Sequence, residues 1–393
     1  MVDRPDTLVT RSSPAAQDQA FATQVSRMLR LVRHQPPPRR RPRLSGLVTA
    51  LVVVSVMVGF GAAPAPASAF ARAVYPAQSY GNRGVDVQTA QYLLRARGYP
   101  VPVHGWFNAT TRSAVRSHQG TRGLRITGIV DPRTWSSLVV PLRQGNRGDA
   151  VGALQLQLRA KNGAPLTATG SFDAATRRAV TAFQRHAGLT ADGIATATTW
   201  RNLVWHHDYP DFARASLCDY EVGNGPAHWG TAATVGQMER AAADFHRLGH
   251  GPVSLGDLSF QHGGNIQGHA THEVGLDVDV RPIKRDGGQC ARYGGTNYRW
   301  STYDRAATRA LIRAIRAAGA GHVKLIYFND PQLIGEGLTT WYAGHDDHLH
   351  VRYCEAQHAQ ARYRCASAST SGAGSAAWQP VDETAYAVGV HPR

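Results

Sequence analysis

GHATHEVGLDVDVR, residues 268–281, sets His269, His272, Asp277 and Asp279 in and beside a run that otherwise alternates like a β-strand. A half-buried strand does not hold charge unless each charged group finds a partner. The period of two sends Asp277 and Asp279 to one face and Leu276, Val278 and Val280 to the other. Further on, HDDHLHVRYC (345–354) repeats the device, with His348 and His350 alternating against Leu349 and Val351. If the two strands pair, His272, Asp279 and His350 converge on one point. Two imidazoles and one carboxylate around an open fourth position form the donor set of a catalytic rather than a structural zinc site. A lone H-x-H is weak ground for a metal. An H-x-x-H, an aspartate seven residues on, and H-x-x-H-x-H in a second strand together favour metal over satisfied core histidines. His272–Glu273 does not open an H-E-x-x-H helix, because leucine stands at position 276.

Outward from this stretch the elements are mixed. TVGQMERAAADFHRLG (234–249) carries Val235, Met238, Ala242 and Phe245 along one helical face and stops at Gly249. DRAATRALIRAIRAAGAG (304–321) turns Leu311, Ile315 and Ala318 inward and its arginines outward. VKLIYFN (323–329) reads as a buried strand. With no βαβ rhythm, the expectation is an α+β domain around a small antiparallel sheet. Cys218, Cys290, Cys354 and Cys365 all lie after residue 205, with no C-x-x-C pair. Two disulfides in an exported domain follow, with three possible connectivities. Short loop closure favours Cys354–Cys365 with Cys218–Cys290.

Ahead of this domain the chain repeats itself. GNRGVDVQTAQYLLRARGY (81–99) returns as GNRGDAVGALQLQLRAKNG (145–163), and the segment 105–138 returns as 170–203. Val87, Ala90 and Leu94 make one helical stripe, Val151, Leu154 and Leu158 its counterpart. A second helix holds Ala179, Val180 and Phe183, and a short third holds Trp200 and Leu203, so each unit is a three-helix bundle. The leading G-x-x-G, the G-x-F-x-x-x-T turn, AVTAFQRHAGL, DGIA and the closing Thr-Trp resemble the peptidoglycan-binding domain of bacterial wall hydrolases. In the first copy His118 replaces the phenylalanine and Thr127 the aspartate, so the resemblance gives most of the wall binding to the second. Phe107, Phe172, Trp135 and Trp200 read as core.

The chain has 393 residues and a net charge of +16, almost all of it arginine, since Lys161, Lys284 and Lys324 are its only lysines. A basic body suits an anionic wall. No nucleic-acid motif accompanies the charge, and neither nucleic acid nor a stable protein partner is expected. RRRPR (39–43), an apolar run and Ala67-Ser68-Ala69 read as an export signal, with retention as an anchor the alternative. The expected destination is secretion to the cell wall. ASASTSGAGSAAWQP, after Cys365, has the composition of a disordered tail.

GHATHEVGLDVDV and HDDHLHVRY, with VSLGDLSFQHGGN upstream, resemble the penicillin-insensitive murein endopeptidase family of zinc peptidases. The resemblance implies Zn²⁺ held by His272, Asp279 and His350, with His269 either a ligand or a group behind one. It makes His348 the proton-handling residue and His345 a further catalytic histidine. It implies hydrolysis of peptide cross-links of peptidoglycan, of the D-alanyl–diaminopimelyl type. Asp277 either orients a ligand imidazole or caps structure. His246 and His322 fall outside the motifs, His262 lies in the upstream one, and all three read as ordinary histidines.

The resulting layout is a signal peptide over 1–69, wall-binding repeats over 75–140 and 142–205, a zinc peptidase domain over 206–367 and a tail over 368–393. Two other functions remain open. A zinc D-alanyl-D-alanine carboxypeptidase shares the H-x-x-G-x-x-x-D of His272 to Asp279 but follows it with E-x-x-H, which Asp347 and His348 do not supply. A non-catalytic wall-binding protein would have lost ligands that are all present here.

Overall fold

The computed structural model describes residues 73–220 and 227–366. The export signal and the polar tail lie outside the described residues. Among those described, no helix is long and apolar enough to cross a membrane.

Each repeat is three helices. Helices α1 (Val85–Ala96), α2 (Ala109–Thr121) and α3 (Pro132–Leu138) form the first, and α4 (Asp149–Asn162), α5 (Ala174–His186) and α6 (Ala197–Trp205) the second. Short polar side chains start the second helix of each: Asn108 accepts from the Thr111 amide, and Asp173 from that of Thr176, at equivalent positions. The second glycine of each G-x-x-G, Gly84 or Gly148, has φ 108°, a value that favours glycine. The expected aromatics are core: Trp135 and Trp200 are fully buried, each donating its indole N–H at 2.8 Å, to Pro76 O and Val140 O.

A pair of buried glutamines at equivalent places in each repeat, Gln91 and Gln119 or Gln155 and Gln184, escaped the sequence reading. Gln119 donates to Ile129 O and accepts from the Gly128 amide, and Gln184 does the same with Ile194 O and Gly193 N. Thr127 and Asp192 occupy one place in this network, so the substitution in the first repeat keeps a hydrogen-bonding oxygen there. His118, standing where the second repeat has Phe183, is buried against Tyr99 and pairs with Ser137 Oγ at 2.8 Å.

The two repeats share one apolar core running from Tyr75 to Val204. Between α1 and α4 lies a buried ion pair: Lys161 Nζ meets Asp86 Oδ1 and Val204 O at 2.7 Å each, and Gln157 donates to the same carboxylate. Removing one partner of such a pair strands the other charge. Lys161→Met is expected to cost about 3–5 kcal/mol, read from the urea midpoint, and Lys161→Met with Asp86→Leu to recover most of it. A cost under about 1 kcal/mol, as for an exposed pair, would show that water reaches the site.

The second domain holds β1 (Leu217–Asp219), α7 (Ala232–Arg247), β2 (Val253–Leu255), β3 (Asp277–Val280), α8 (Arg305–Gly319), β4 (Val323–Tyr327), α9 (Pro331–Gly335) and β5 (Leu349–Tyr353). The sheet order is β1-β2-β3-β5-β4. The expected antiparallel sheet is in fact mixed, because β1 and β2 run parallel. The reason is α7, a crossover helix that returns the chain in its starting direction. The strand over 323–329 is an edge strand rather than a buried one, with only Ile326 of β4 fully buried. The stripes of α7 and α8 share a core with Val253, Val278, Val280, Leu349 and Val351. Disulfides join Cys218 to Cys290 and Cys354 to Cys365, the pairing that loop closure favoured.

The first repeat docks on this domain backbone to backbone. A Cβ at Gly84 would collide with Ala232 O, and one at Gly236 would meet Gly84 Cα at 2.7 Å, so both contacts require glycine.

Candidate metal centre

The register of β3 on β5 builds the centre. Asp279 lies opposite His350 and Asp277 opposite Arg352, as alternation on two paired strands requires. His272 arrives from the loop before β3. It is fully buried with φ 73°, a left-handed conformation that costs a side-chain-bearing residue about 1–3 kcal/mol. Its amide donates to Asp277 Oδ2 at 3.2 Å, which holds that turn.

Three donor atoms form a nearly equilateral triangle. His272 Nε2 stands 3.1 Å from His350 Nδ1 and 3.3 Å from Asp279 Oδ1, and His350 Nδ1 is 3.2 Å from that same oxygen. Four ligands placed tetrahedrally at zinc bond lengths lie about 3.3 Å apart, so the triangle matches one face of a zinc tetrahedron. Asp279 Oδ1 is buried and accepts no well-directed hydrogen bond despite the two nitrogens beside it. An orphaned carboxylate oxygen among imidazoles fits a cation-binding role.

Each imidazole is aimed from behind. His272 Nδ1 pairs with Leu258 O at 3.0 Å, and His350 Nε2 with Asp277 Oδ1 at 2.9 Å, which turns the other nitrogen of each ring to the centre. Asp277 also accepts from Arg352 Nε and the Tyr363 hydroxyl, both at 2.7 Å. Burial alone would raise its carboxyl, but His350, Arg352 and His272 hold it below the usual carboxylate range. Burial opposes ionisation of Asp279 too, and His272 and His350 hold it well below that range. Burial pushes His350 down, yet Asp277 and Asp279 outweigh it and lift the imidazole to about 9. The pocket therefore favours positive charge strongly.

The other anticipated histidines stand around the triangle. His269 pairs through Nε2 with Asp257 Oδ2 at 3.2 Å, and its Nδ1 is 4.0 Å from Asp279 Oδ2. One donor atom each of His269, His272 and Asp279 lies within 4.8 Å of the others. His348 sits one residue before β5, 27% exposed at its side chain, with Nδ1 on Asp347 Oδ1 at 2.9 Å. Burial lowers its basicity, but Asp347 and Asp279 together raise it on balance. His345 packs against His348, ring centroids 4.7 Å apart, and 5.6 Å from His350. Its imidazole is lowered by burial and then by the neighbouring His348. Tyr327 and Tyr342 stack at 4.7 Å beside them.

Residues 83–138 and 147–203 match the peptidoglycan binding domain family, and residues 224–290 match the penicillin-insensitive murein endopeptidase family. The chain joins two peptidoglycan-binding domains to a murein endopeptidase domain. It is a peptidase of the cell wall. The match of the endopeptidase domain contains His269, His272 and Asp279 and ends before His345, His348 and His350, which the fold brings to the same place.

The chain is also similar to a zinc D-Ala-D-Ala carboxypeptidase of Streptomyces albus G. The two are 28% identical over 56% of this chain and 76% of that protein. It is similar to the N-acetylmuramoyl-L-alanine amidase CwlM of Mycobacterium tuberculosis, 35% identical over 49% of this chain. The chain spans about half of the amidase's length, 51%. A solved peptidoglycan-binding protein from Clostridioides difficile is 39% identical over 16% of this chain and 39% of its own, with a TM-score of 0.16.

Asp257, Leu258 O, Asp347, Arg352 and Tyr363 were not anticipated. Asp257 and Asp347 lie inside quoted motifs, but nothing in their spacing pairs them with His269 and His348. Of the histidines read as ordinary, His322 binds Cys354 O and Tyr80 O at 3.0 Å each, and so ties the first repeat to the endopeptidase domain.

Proposed function

We propose that this chain is an exported, zinc-dependent peptidoglycan hydrolase that cuts D-alanyl–diaminopimelyl cross-links at the cell wall. The observation that carries the reading is the donor triangle, with spacing that matches zinc and a second group aiming each imidazole. His272, Asp279 and His350 would hold the ion, and His269 would steady Asp279 from the side, its own nearest partner being Asp257. Zinc bound there would supply a Lewis acid and lower the pKa of water toward neutral. His348, fixed at Nδ1 by Asp347, presents Nε2 to take a proton from the attacking water and return it to the leaving amine. The water oxygen joins the carbonyl carbon, the C–N bond breaks, and the amine departs with the proton. His345 is placed to stabilise the developing negative oxygen.

The test is digestion of defined muropeptide dimers. An endopeptidase yields two monomers whose masses sum to dimer plus water. The likeness to a zinc D-Ala-D-Ala carboxypeptidase supports a second reading, in which free D-alanine leaves a pentapeptide stem and dimers survive. Intact dimers beside released D-alanine would select it.

Wall binding falls to the second repeat. Its α5 presents Arg177, Arg178 and Arg185 along a groove of about 410 Å³ shared with Gln144 and Thr181. Guanidinium groups there suit the carboxylates of stem peptides. The full chain with Arg177→Ala and Arg185→Ala is expected to pellet less with purified wall while cutting soluble dimers at the unaltered rate. Equal pelleting would return the binding to the first repeat.

A further inference from the structure

Away from the endopeptidase centre, three imidazoles from two domains meet. His186 is the last residue of α5, His206 follows α6, and His262 lies between β2 and β3. Their ring centroids are 4.8 Å apart for His206–His262, 5.4 Å for His186–His206 and 5.5 Å for His186–His262. One ring nitrogen of each lies within 4.8 Å of the other two.

We propose that His186, His206 and His262 bind a second zinc ion, which clasps the second peptidoglycan-binding repeat to the endopeptidase domain. Imidazole is a ligand for zinc and its late first-row neighbours, and it ligates only when neutral. Burial, then the neighbouring imidazoles and Lys161, press His206 down to about 2, and burial with His186 presses His262 down to about 4. These two rings therefore stay neutral, and an ion has no proton to displace from them.

The surroundings are those of a closed site with one door. Phe183 and Trp229 pack edge-on against His206, and Trp205 lies 6.1 Å from His262. The Gln261 side-chain amide holds His206 Nε2 at 3.0 Å. His186 is exposed at the end of its helix, so it has room to swing and close the donors, which lie within 4.8 Å of one another, toward the tetrahedral spacing of about 3.3 Å. Three imidazoles leave the fourth position to water.

The placement gives the ion a consequence. His262 belongs to the segment that carries Asp257, Leu258 and His269, which back the endopeptidase centre. Fixing this segment to α5 ties the wall-bound repeat to the loop that aims His272.

The test counts zinc on the full-length chain, stripped and then titrated against a competing chelator. Two equivalents are expected for the wild type, one for His186→Ala, one for His350→Ala and none for the double variant. Zinc should also raise the melting temperature of His350→Ala but not of the double variant. A wild-type protein holding one equivalent that His350→Ala loses and His186→Ala keeps would overturn the proposal and leave the cluster as aromatic packing. The reverse result, one equivalent lost in His186→Ala and kept in His350→Ala, would sustain this site and remove the proposed catalytic one. His262→Ala, on the other domain, should repeat the His186→Ala result. Full zinc content there would also overturn the proposal.

Discussion

His350→Ala and Asp279→Ala are each expected to lose one equivalent of zinc and fall at least about 10³-fold in dimer hydrolysis, since a Lewis acid supplies several kcal/mol of charge stabilisation. Both residues sit at corners of the donor triangle, with contacts of 3.1 to 3.3 Å, so removing either leaves only two protein ligands. Wall pelleting should persist, because the repeats have their own core from Tyr75 to Val204. Asp277→Asn gives a graded control. It keeps the shape that faces His350 Nε2 but weakens the aim of that ring, which should lower zinc affinity about 10- to 100-fold. Full turnover in a His350→Ala protein whose zinc count has dropped would sink the assignment. Near-normal zinc in both alanine variants would move the site elsewhere.

How much of this was legible depended on where the information lies. Strand alternation is a local property, so 276–280 and 348–351 announced which residues share a face, and the register confirms the meeting of Asp279 with His350. The repeat stripes were legible for the same reason, and Val87, Leu94, Val151 and Leu158 are all fully buried. The parallel pairing of β1 was not legible. Leu217, Cys218 and Asp219 are too few to show a period, and their pairing follows from where α7 returns the chain. The groups that aim the imidazoles were hidden for a related reason. Leu258 O is a backbone atom with no residue signature, and Asp257 and Asp347 are conspicuous only once their histidines are seen beside them. The buried glutamines could have been found. Gln91 and Gln155, like Gln119 and Gln184, stand at equivalent places in both copies, and a polar residue kept inside a helical repeat marks a satisfied network rather than a surface.

His348→Ala separates holding the metal from moving the proton. His348 and His350 lie two residues apart on one strand face, roughly 6.5 to 7 Å along the chain, so spacing alone does not divide their roles and their partners decide. The side chains divide accordingly. His350 is buried, with both ring nitrogens committed to Asp277 and to the triangle. His348 is partly exposed, takes Asp347 at Nδ1 and lies against His345 at the mouth. His348→Ala is therefore expected to keep its zinc count while losing about 10² to 10⁴-fold in turnover, the usual contribution of a general acid–base group. Asp347→Asn should lose less, because it leaves the imidazole in place and only loosens its aim. The KM for dimers should change little in either variant, since neither residue is assigned to binding. Zinc loss in His348→Ala equal to that in His350→Ala would mean that both imidazoles ligate the ion. The peptidase would stand on that result, and the proton would have to travel by His345 or by Asp347 itself.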